Sequence, residues 1–217
     1  MEFKRFELDY IKSNMYVCVE NDNALIIDPN ISEKGLQYLN GQNITSGVII
    51  LTHEHFDHTT GVNPIREMFP FILICQKECA KSIENSRKNR PLSLLLISSE
   101  DDKKTIRNFF DSFELYECKS DIVFDDRYEM KWNNHTIIIQ STPGHSKGSV
   151  CIEIDNRYIF TGDSLIPNTP VITRYPGGSL EEYESITLPY LKRKKSDFWV
   201  LPGHGECFKL GEKTFGE

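Results

Sequence analysis

His53, His55, Asp57 and His58, four side chains able to bind a metal, fall within six residues in the stretch Leu51-Thr52-His53-Glu54-His55-Phe56-Asp57-His58. The stretch follows an apolar run, Gly47-Val48-Ile49-Ile50-Leu51, that reads as a buried strand. In extended backbone, residues two apart point the same way, so His53 and His55 can reach a common ion. Asp57 and His58 lie just beyond, where a turn can aim them at a second ion. Neutral imidazole and carboxylate are donors that suit zinc, iron or manganese. The i, i+2 spacing cannot place two histidines on one helix face, which separates this stretch from the helical H-E-x-x-H arrangement.

The other histidines sharpen the reading. The chain has six, and three stand in that stretch. His145 and His204 sit in short loops, Thr142-Pro143-Gly144-His145-Ser146 and Pro202-Gly203-His204-Gly205, each after a strand-like run. Thr161-Gly162-Asp163-Ser164 offers a carboxylate in the same setting. His135 alone is left over; beside the turn Asn133-Asn134 it reads as an exposed hairpin residue rather than a ligand.

Together these loops resemble the metallo-β-lactamase superfamily of metallohydrolases, whose H-x-H-x-D-H motif, later lone His, bridging Asp and final His all have matches here in family order. The resemblance runs from the strand ending Ile26-Ile27-Asp28-Pro29 to His204. Thr-Pro-Gly-His-Ser followed by Gly148-Ser149, then Gly-Asp, then Pro-Gly-His-Gly is most similar to the glyoxalase II (hydroxyacylglutathione hydrolase) branch. The resemblance implies an α/β (α+β) fold, a four-layer αββα sandwich of two mixed β-sheets flanked by helices, with residues 1–217 as one domain. It implies two divalent ions, Zn2+ foremost and Fe or Mn otherwise. His53, His55 and His145 would hold one, Asp57, His58 and His204 the other, with Asp163 bridging. Asp28 matches the family's early Asp, which braces the metal loop. Thr52, Thr142 and Ser146 are candidates to support the ligands from behind. Arg174 and Tyr175, in the loop after Asp163, are candidates to line a substrate pocket.

Two divalent ions bring four positive charges, and Asp57 with Asp163 returns two. A water bridging them is expected to ionise near neutral pH, as a single zinc lowers bound water to roughly pKa 7. The resulting hydroxide sits beside an electrophile that a metal polarises, so no serine or cysteine nucleophile is needed. Asp57 and Asp163 are the catalytic candidates, Asp57 also as a proton relay to the leaving group. The expected function is a metal-dependent hydrolase of a small ester, thioester or lactone, glyoxalase II-like. Zinc β-lactamases with a cysteine ligand are disfavoured by Asp163, and flavo-diiron oxidoreductases, which carry Glu where His55 stands, are disfavoured too. A mononuclear-iron, persulfide dioxygenase-like oxidoreductase, using two His and one Asp, is the alternative. Glyoxalase II enzymes carry a helical C-terminal extension with basic glutathione contacts, whereas thirteen residues follow His204 here. The expected acyl substrate is therefore not necessarily the glutathione thioester.

The loops need strands to hold them. Phe3–Ile11, Met15–Glu20 and Ala24–Asp28 read as three strands, with turns at Ser13-Asn14 and Asn21-Asp22-Asn23. Ser32 caps a short helix to about Leu39. Gly61–Met68 reads as a helix and Phe71–Cys75 as the next strand. Residues 77–126 form a variable helical segment, with a basic turn at Arg87–Pro91 and an apolar run at Leu92–Ile97. Ile106, Phe109, Phe110 and Phe113 then follow at helical spacing, capped by Ser98 or Ser99. A core helix and a lid or oligomer contact both fit that segment. Hairpins follow at Tyr128–Trp132 with His135–Ser141, and at Val150–Ile154 with Arg157–Thr161. Ser179 and Glu182 make a capping box for a helix to Lys192, and Phe198–Leu201 reads as the last strand. Lys192-Arg193-Lys194-Lys195 falls where the helix dipole favours cations, a solvated helix end rather than a nucleic-acid patch.

A length of 217 residues suits one domain. No apolar run reaches the roughly 18 residues of a membrane span, and Met1–Glu7 lacks the apolar core of a secretory signal. The net charge of −7 argues against general nucleic-acid affinity. The six cysteines show no C-x-x-C or zinc-ribbon spacing and read as free, mostly buried thiols in a reducing cytoplasm. A small-molecule substrate is expected, with neither nucleic acid nor membrane as a partner; the oligomeric state is left open.

Overall fold

Alternate residues of each strand face opposite sides of a sheet, and that alternation sorts the apolar residues of this chain into three layers. In the computed structural model, which describes residues 1–9, 11–88 and 115–212, the strands form two six-stranded sheets. The first comprises β1 (Lys4–Glu7), β2 (Asn14–Glu20), β3 (Asn23–Ile27), β4 (Ser46–Ile50), β5 (Phe71–Gln76) and β6 (Ile122–Phe124), in that spatial order. β1, β2 and β3 pair antiparallel, whereas β3 to β6 run parallel. Parallel neighbours need crossovers. Helices α1 (Glu33–Asn40), α2 (Val62–Met68) and α3 (Lys77–Ile83) lie in these three connections.

The second sheet contains β7 (Arg127–Trp132), β8 (His135–Ser141), β9 (Val150–Ile154), β10 (Tyr158–Gly162), β11 (Trp199–Pro202) and β12 (Phe208–Lys209), in the order β12-β11-β10-β9-β8-β7. Its β10–β11 pair is parallel and the rest antiparallel, so both sheets are mixed. Helix α4 runs continuously through an α turn (Leu180–Glu182), a π segment (Tyr183–Thr187) and a second α segment (Leu188–Lys192).

Met15, Val17, Ala24, Ile26, Ile49 and Leu73 pack outward under α1–α3, against Leu39, Val62, Ile65 and Ile83. Their strand neighbours Tyr16, Leu25, Ile27, Ile50 and Ile74 face the other way, onto Ile137, Ile139, Val150, Ile152, Ile154 and Phe160 of the second sheet. Cys151, Ile159 and Val200 face the far side of that sheet, with Leu191 of α4. Four layers, αββα, result. Burying apolar faces on both sides of each sheet is the main stabilising term, at roughly 25 cal/mol per Å2 removed from water.

Several expectations need revision. The first strand ends at Glu7, because Lys12 adopts a left-handed conformation (φ 64°) and its N–H turns back to the Leu8 carbonyl. Ser32 occupies the cap position of α1 without a side-chain bond. Ser179 does cap α4, accepting from Glu182 N at 3.2 Å. The π segment precedes Pro189, which has no N–H for the carbonyl four residues earlier. α3 opens the segment expected to be helical at 77–126, and the Gln76 side chain caps it by accepting from Glu78 N. The Cys75 thiol lies 3.2 Å from the Ser120 hydroxyl. β6 and β12 are too short to show a period. The run Leu92–Ile97 and the helix expected around Ile106–Phe113, with its Ser98 or Ser99 cap, lie outside the described residues. All six cysteines are free, five of them buried. Among the described residues no helix is long and apolar enough to cross a membrane.

Ile152 is fully buried between the sheets. Ile152→Ala is expected to cost about 2–5 kcal/mol of unfolding free energy. Urea titration should show a lower midpoint at unchanged slope; an unshifted midpoint would contradict this packing.

Candidate metal centre

The site grows out of one strand end. β3 and β4 pair in register up to Ile27 and Ile50, and the Asp28 N–H bonds the Ile50 carbonyl at 3.1 Å. Asp28 itself takes a left-handed conformation, φ 52°, which turns its carboxylate across the end of β4. There it accepts from Thr52 N at 2.6 Å and from Thr52 Oγ1 at 2.5 Å. The chain stays extended through His55 (φ −64°, ψ 143°), then makes a single 3-10 turn at Phe56–His58. The i, i+2 pair and the turn therefore arise as the spacing predicts, with His53 and His55 ring centroids 4.6 Å apart.

Long-range folding brings in the rest. Donor atoms of His53, His55, His145 and Asp163 lie within 4.8 Å of one another, and so do those of Asp57, His58 and His204. Asp163 stands between the groups: Oδ2 is 3.5 Å from Nε2 of both His145 and His204, and Oδ1 is 3.5 Å from His58 Nε2. Asp57 Oδ2 lies 3.3 Å from His58 Nε2 and 3.4 Å from His204 Nε2. Asp28 with His53 and His58 also satisfies a 4.8 Å limit. Its oxygens are already engaged by Thr52 and His58.

Hydrogen bonds decide which nitrogen of each ring faces inward. A carboxylate only accepts, so His58 Nδ1, 3.0 Å from Asp28 Oδ2, must carry the proton. The single Thr52 hydroxyl proton goes to Asp28, so Thr52 Oγ1 accepts from His53 Nδ1 at 3.0 Å. His145 Nδ1 donates to the Ile172 carbonyl at 2.8 Å. In all three rings Nε2 is therefore the nitrogen that faces the centre, with its lone pair free in His53 and His145. His145 Nε2 lies 2.9 Å from His55 Nδ1. His53 Nε2, His58 Nε2 and Asp163 Oδ1 are buried without a hydrogen-bond partner among the described residues. Buried polar atoms are rarely left so, and convergent orphaned donors of this kind fit a cation.

The charges agree. Burial holds His53 and His55 down, helped by neighbouring imidazoles, and takes His55 to about 3. Burial also lowers His145. Burial opposes ionisation of Asp57 and Asp163 as well, but His58 and His204 outweigh it and hold both carboxyls well below their usual range. Reciprocally, Asp163 and Asp57 overcome the effect of burial on His204 and lift it to about 10; His58 is likewise raised.

Of the remaining candidates, Tyr175 is buried with its ring edge-on to His55 (5.3 Å) and His145 (5.9 Å). Arg174 is exposed beside it. Thr142 is buried, but its hydroxyl turns to Cys151 Sγ at 3.5 Å and meets no candidate ligand. Ser146 acts at one remove, donating to Glu54 Oε2 at 2.8 Å. Glu54 was missed: it alternates with the histidines, points away from them, and fastens the His53–His58 loop to the His145 loop. Ser13 and Asn14 were read as a turn. They are instead fully buried at the start of β2, bonded to the backbone of the Asp57 and His204 loops. His135 bonds Asp155 and Glu20, away from the centre.

A family model described as the metallo-β-lactamase superfamily matches residues 9–204. The chain belongs to that superfamily. It is similar along most of its length to the probable metallo-hydrolase YqgX of Bacillus subtilis, at 26% identity over 207 residues, covering 94% of this chain and 90% of YqgX. A 64-residue stretch is 39% identical to hydroxyacylglutathione hydrolase 1 of Vibrio vulnificus, covering 30% of this chain and 26% of that protein. The crystal structure of BLEG-1 B3 metallo-β-lactamase superposes with a TM-score of 0.77 at 25% identity, covering 97% of this chain and 95% of BLEG-1. ETHE1 from Myxococcus xanthus gives 0.70 at 18% identity, covering 98% and 81%, a likeness of fold. The superfamily is one of metallo-hydrolases, and the His/Asp groups form a candidate divalent metal site.

Metal ligation needs the imidazole lone pairs, so loading must displace the protons that Asp57 and Asp163 hold on His58 and His204. At pH 7 calorimetric heats should vary with buffer ionisation enthalpy, and affinity should climb as pH rises towards about 10, where His204 loses its proton. Heats identical in every buffer would contradict this. Asp28→Asn, whose amide NH2 replaces one accepting oxygen and so cannot keep all three bonds from Thr52 and His58, is expected to weaken metal binding about 10–100-fold in chelator competition.

Proposed function

We propose that this protein hydrolyses a small ester, thioester or lactone, glyoxalase II-like, using two divalent cations. Zinc is the first choice of ion, iron or manganese the alternatives. One cation falls to His53, His55 and His145, the other to Asp57, His58 and His204, with Asp163 shared. The observation that carries this reading is the convergence of His53 Nε2, His58 Nε2 and Asp163 Oδ1, buried and unbonded among the described residues, inside a shell of further imidazoles and carboxylates. When bound, such ions supply Lewis acidity, polarising a carbonyl oxygen and lowering the pKa of water.

The polypeptide supplies the rest. Thr52, Ser146 and Ser13 donate their hydroxyl protons to Asp28, Glu54 and the Asp57 carbonyl respectively. None is oriented as a nucleophile, which favours water. Asp57 stays ionised at neutral pH and accepts the proton to be passed to the leaving group; Asp163 holds the two groups in register. The Tyr175 ring forms a wall over His55 and His145. Its hydroxyl, pushed up to about 12 by burial and the nearby carboxylates, remains a donor for a substrate oxygen. Arg174, at the rim, suits an anionic substituent. Free, mostly buried thiols favour a reducing compartment such as the cytoplasm.

The short Vibrio match favours a glutathione thioester, while the full-length likenesses include a probable metallo-hydrolase and a β-lactamase. Metal-loaded protein is therefore to be assayed on S-lactoylglutathione, generic thioesters, homoserine lactones and a β-lactam. Turnover of at least one acyl substrate is expected, abolished by chelation and restored by metal. No turnover across the panel would refute the proposal, and turnover of the β-lactam alone would redirect it.

A further inference from the structure

The two ligand groups are anchored differently. The first is held from within the central loops, through Thr52 on His53, the Ile172 carbonyl on His145, and the Glu54–Ser146 bond. In the second, His58 rests on Asp28, but the backbone around Asp57 and His204 is tied to the N-terminal hairpin β1–β2, which contributes no ligand. Asn14 N donates to the Gly203 carbonyl at 2.7 Å, and Asn14 Nδ2 to the carbonyls of Pro202 (3.0 Å) and Gly205 (2.9 Å). Tyr16 Oη also donates to Pro202, at 2.8 Å. Arg5 reaches the Gly205 carbonyl at 2.6 Å and the Glu206 carboxylate. Ser13 pairs with His204 as an isolated β-bridge, and its hydroxyl donates to the Asp57 carbonyl at 2.9 Å. Both ends of the second group, Asp57 and His204, are thus bound to one rigid element, and Ser13 and Asn14 are fully buried there.

We infer that Arg5, Ser13 and Asn14 are positioning residues that set the affinity of the second cation, through the backbone around Asp57 and His204. The inference rests on the two-ion reading above. The carbonyls of residues 202, 203 and 205 need donors, and the hairpin supplies them in one geometry. Without those donors the His204 loop can relax, and the imidazole no longer waits opposite Asp57 and Asp163. Outer hydrogen-bond partners of this kind commonly control metal affinity by about 10–100-fold.

Stepwise Zn2+ affinities by chelator competition, and Co2+ absorption spectra of the loaded protein, test this without recourse to activity. Asn14→Asp keeps the shape but turns a donor into an acceptor facing two carbonyls; Ser13→Ala removes the bond to Asp57. Arg5→Met, on an outer strand, removes one anchor without entering the core, so it reports even where a buried variant fails to fold. Glu153→Gln, beneath α4 where Tyr190 and Lys194 bond that carboxylate, is the structural control. The expected result is a second-ion dissociation constant raised about 10–100-fold in Asn14→Asp and raised in the same sense by Arg5→Met. First-ion affinity should be kept, with loss of only the second-site Co2+ bands. Unchanged second-ion affinity in the three variants overturns the inference, as does equal weakening of both ions in these variants and in Glu153→Gln. Wild-type protein saturating at fewer than two ions overturns the two-ion reading itself, and the inference with it.

Discussion

An imidazole can present either of two nitrogens, and a centre built from histidines functions only if the correct one faces the ion. In this protein a single carboxylate settles that choice for two rings. Asp28 receives His58 directly and His53 through the Thr52 hydroxyl, so both Nε2 atoms turn inward. It can do so because the parallel pairing of β3 with β4 brings the two strand ends level, and the left-handed turn at Asp28 carries its side chain across. The backbone conformation is uncommon for a non-glycine residue and is maintained by three hydrogen bonds to one side chain.

Concentrating so many ionisable groups in a buried space is unfavourable unless charges are matched. The polypeptide divides the problem. His53, His55 and His145 are held neutral by burial and by one another, whereas Asp57 and Asp163 are ionised against the positive potential of His58 and His204. The first group is held neutral, while in the second the carboxylates and imidazoles carry opposite charges. Two imidazole environments thus coexist a few ångströms apart.

Close approach of the loops makes the arrangement rigid. Gly162 adopts φ 48°, and a Cβ there would stand 2.4 Å from Thr52 Oγ1; a Cβ on Gly203 would stand 2.2 Å from Asp163 Oδ1. Glycine at these points lets strands β10 and β11 deliver Asp163 and His204 against the loop after β4. The Val150 N–H bonds the Thr52 carbonyl at 2.8 Å, joining the two sheets beside the centre. The apolar layer between the sheets holds the loop-bearing strand ends together, so the site inherits its precision from packing it does not itself contain.

The residue types and spacing of His53, His55, Asp57 and His58, and the loops bearing His145, Asp163 and His204, pointed to a metal site and to the metallo-β-lactamase superfamily from the sequence alone, because ligand chemistry and strand alternation are written locally. Strand alternation likewise disclosed most of β2 to β5 and β7 to β11. Other features carried no such local mark. Ser13 and Asn14 look like turn residues until residues 202–206, nearly two hundred positions away, are placed against them. Glu54 looks like a spacer between ligands until Ser146 meets it, and Thr142 looks like a ligand's neighbour until its hydroxyl is seen facing Cys151. Periodicity reports which face of an element is apolar, but a hydrogen bond between distant loops depends on the register of both sheets at once, and only the tertiary structure decides that.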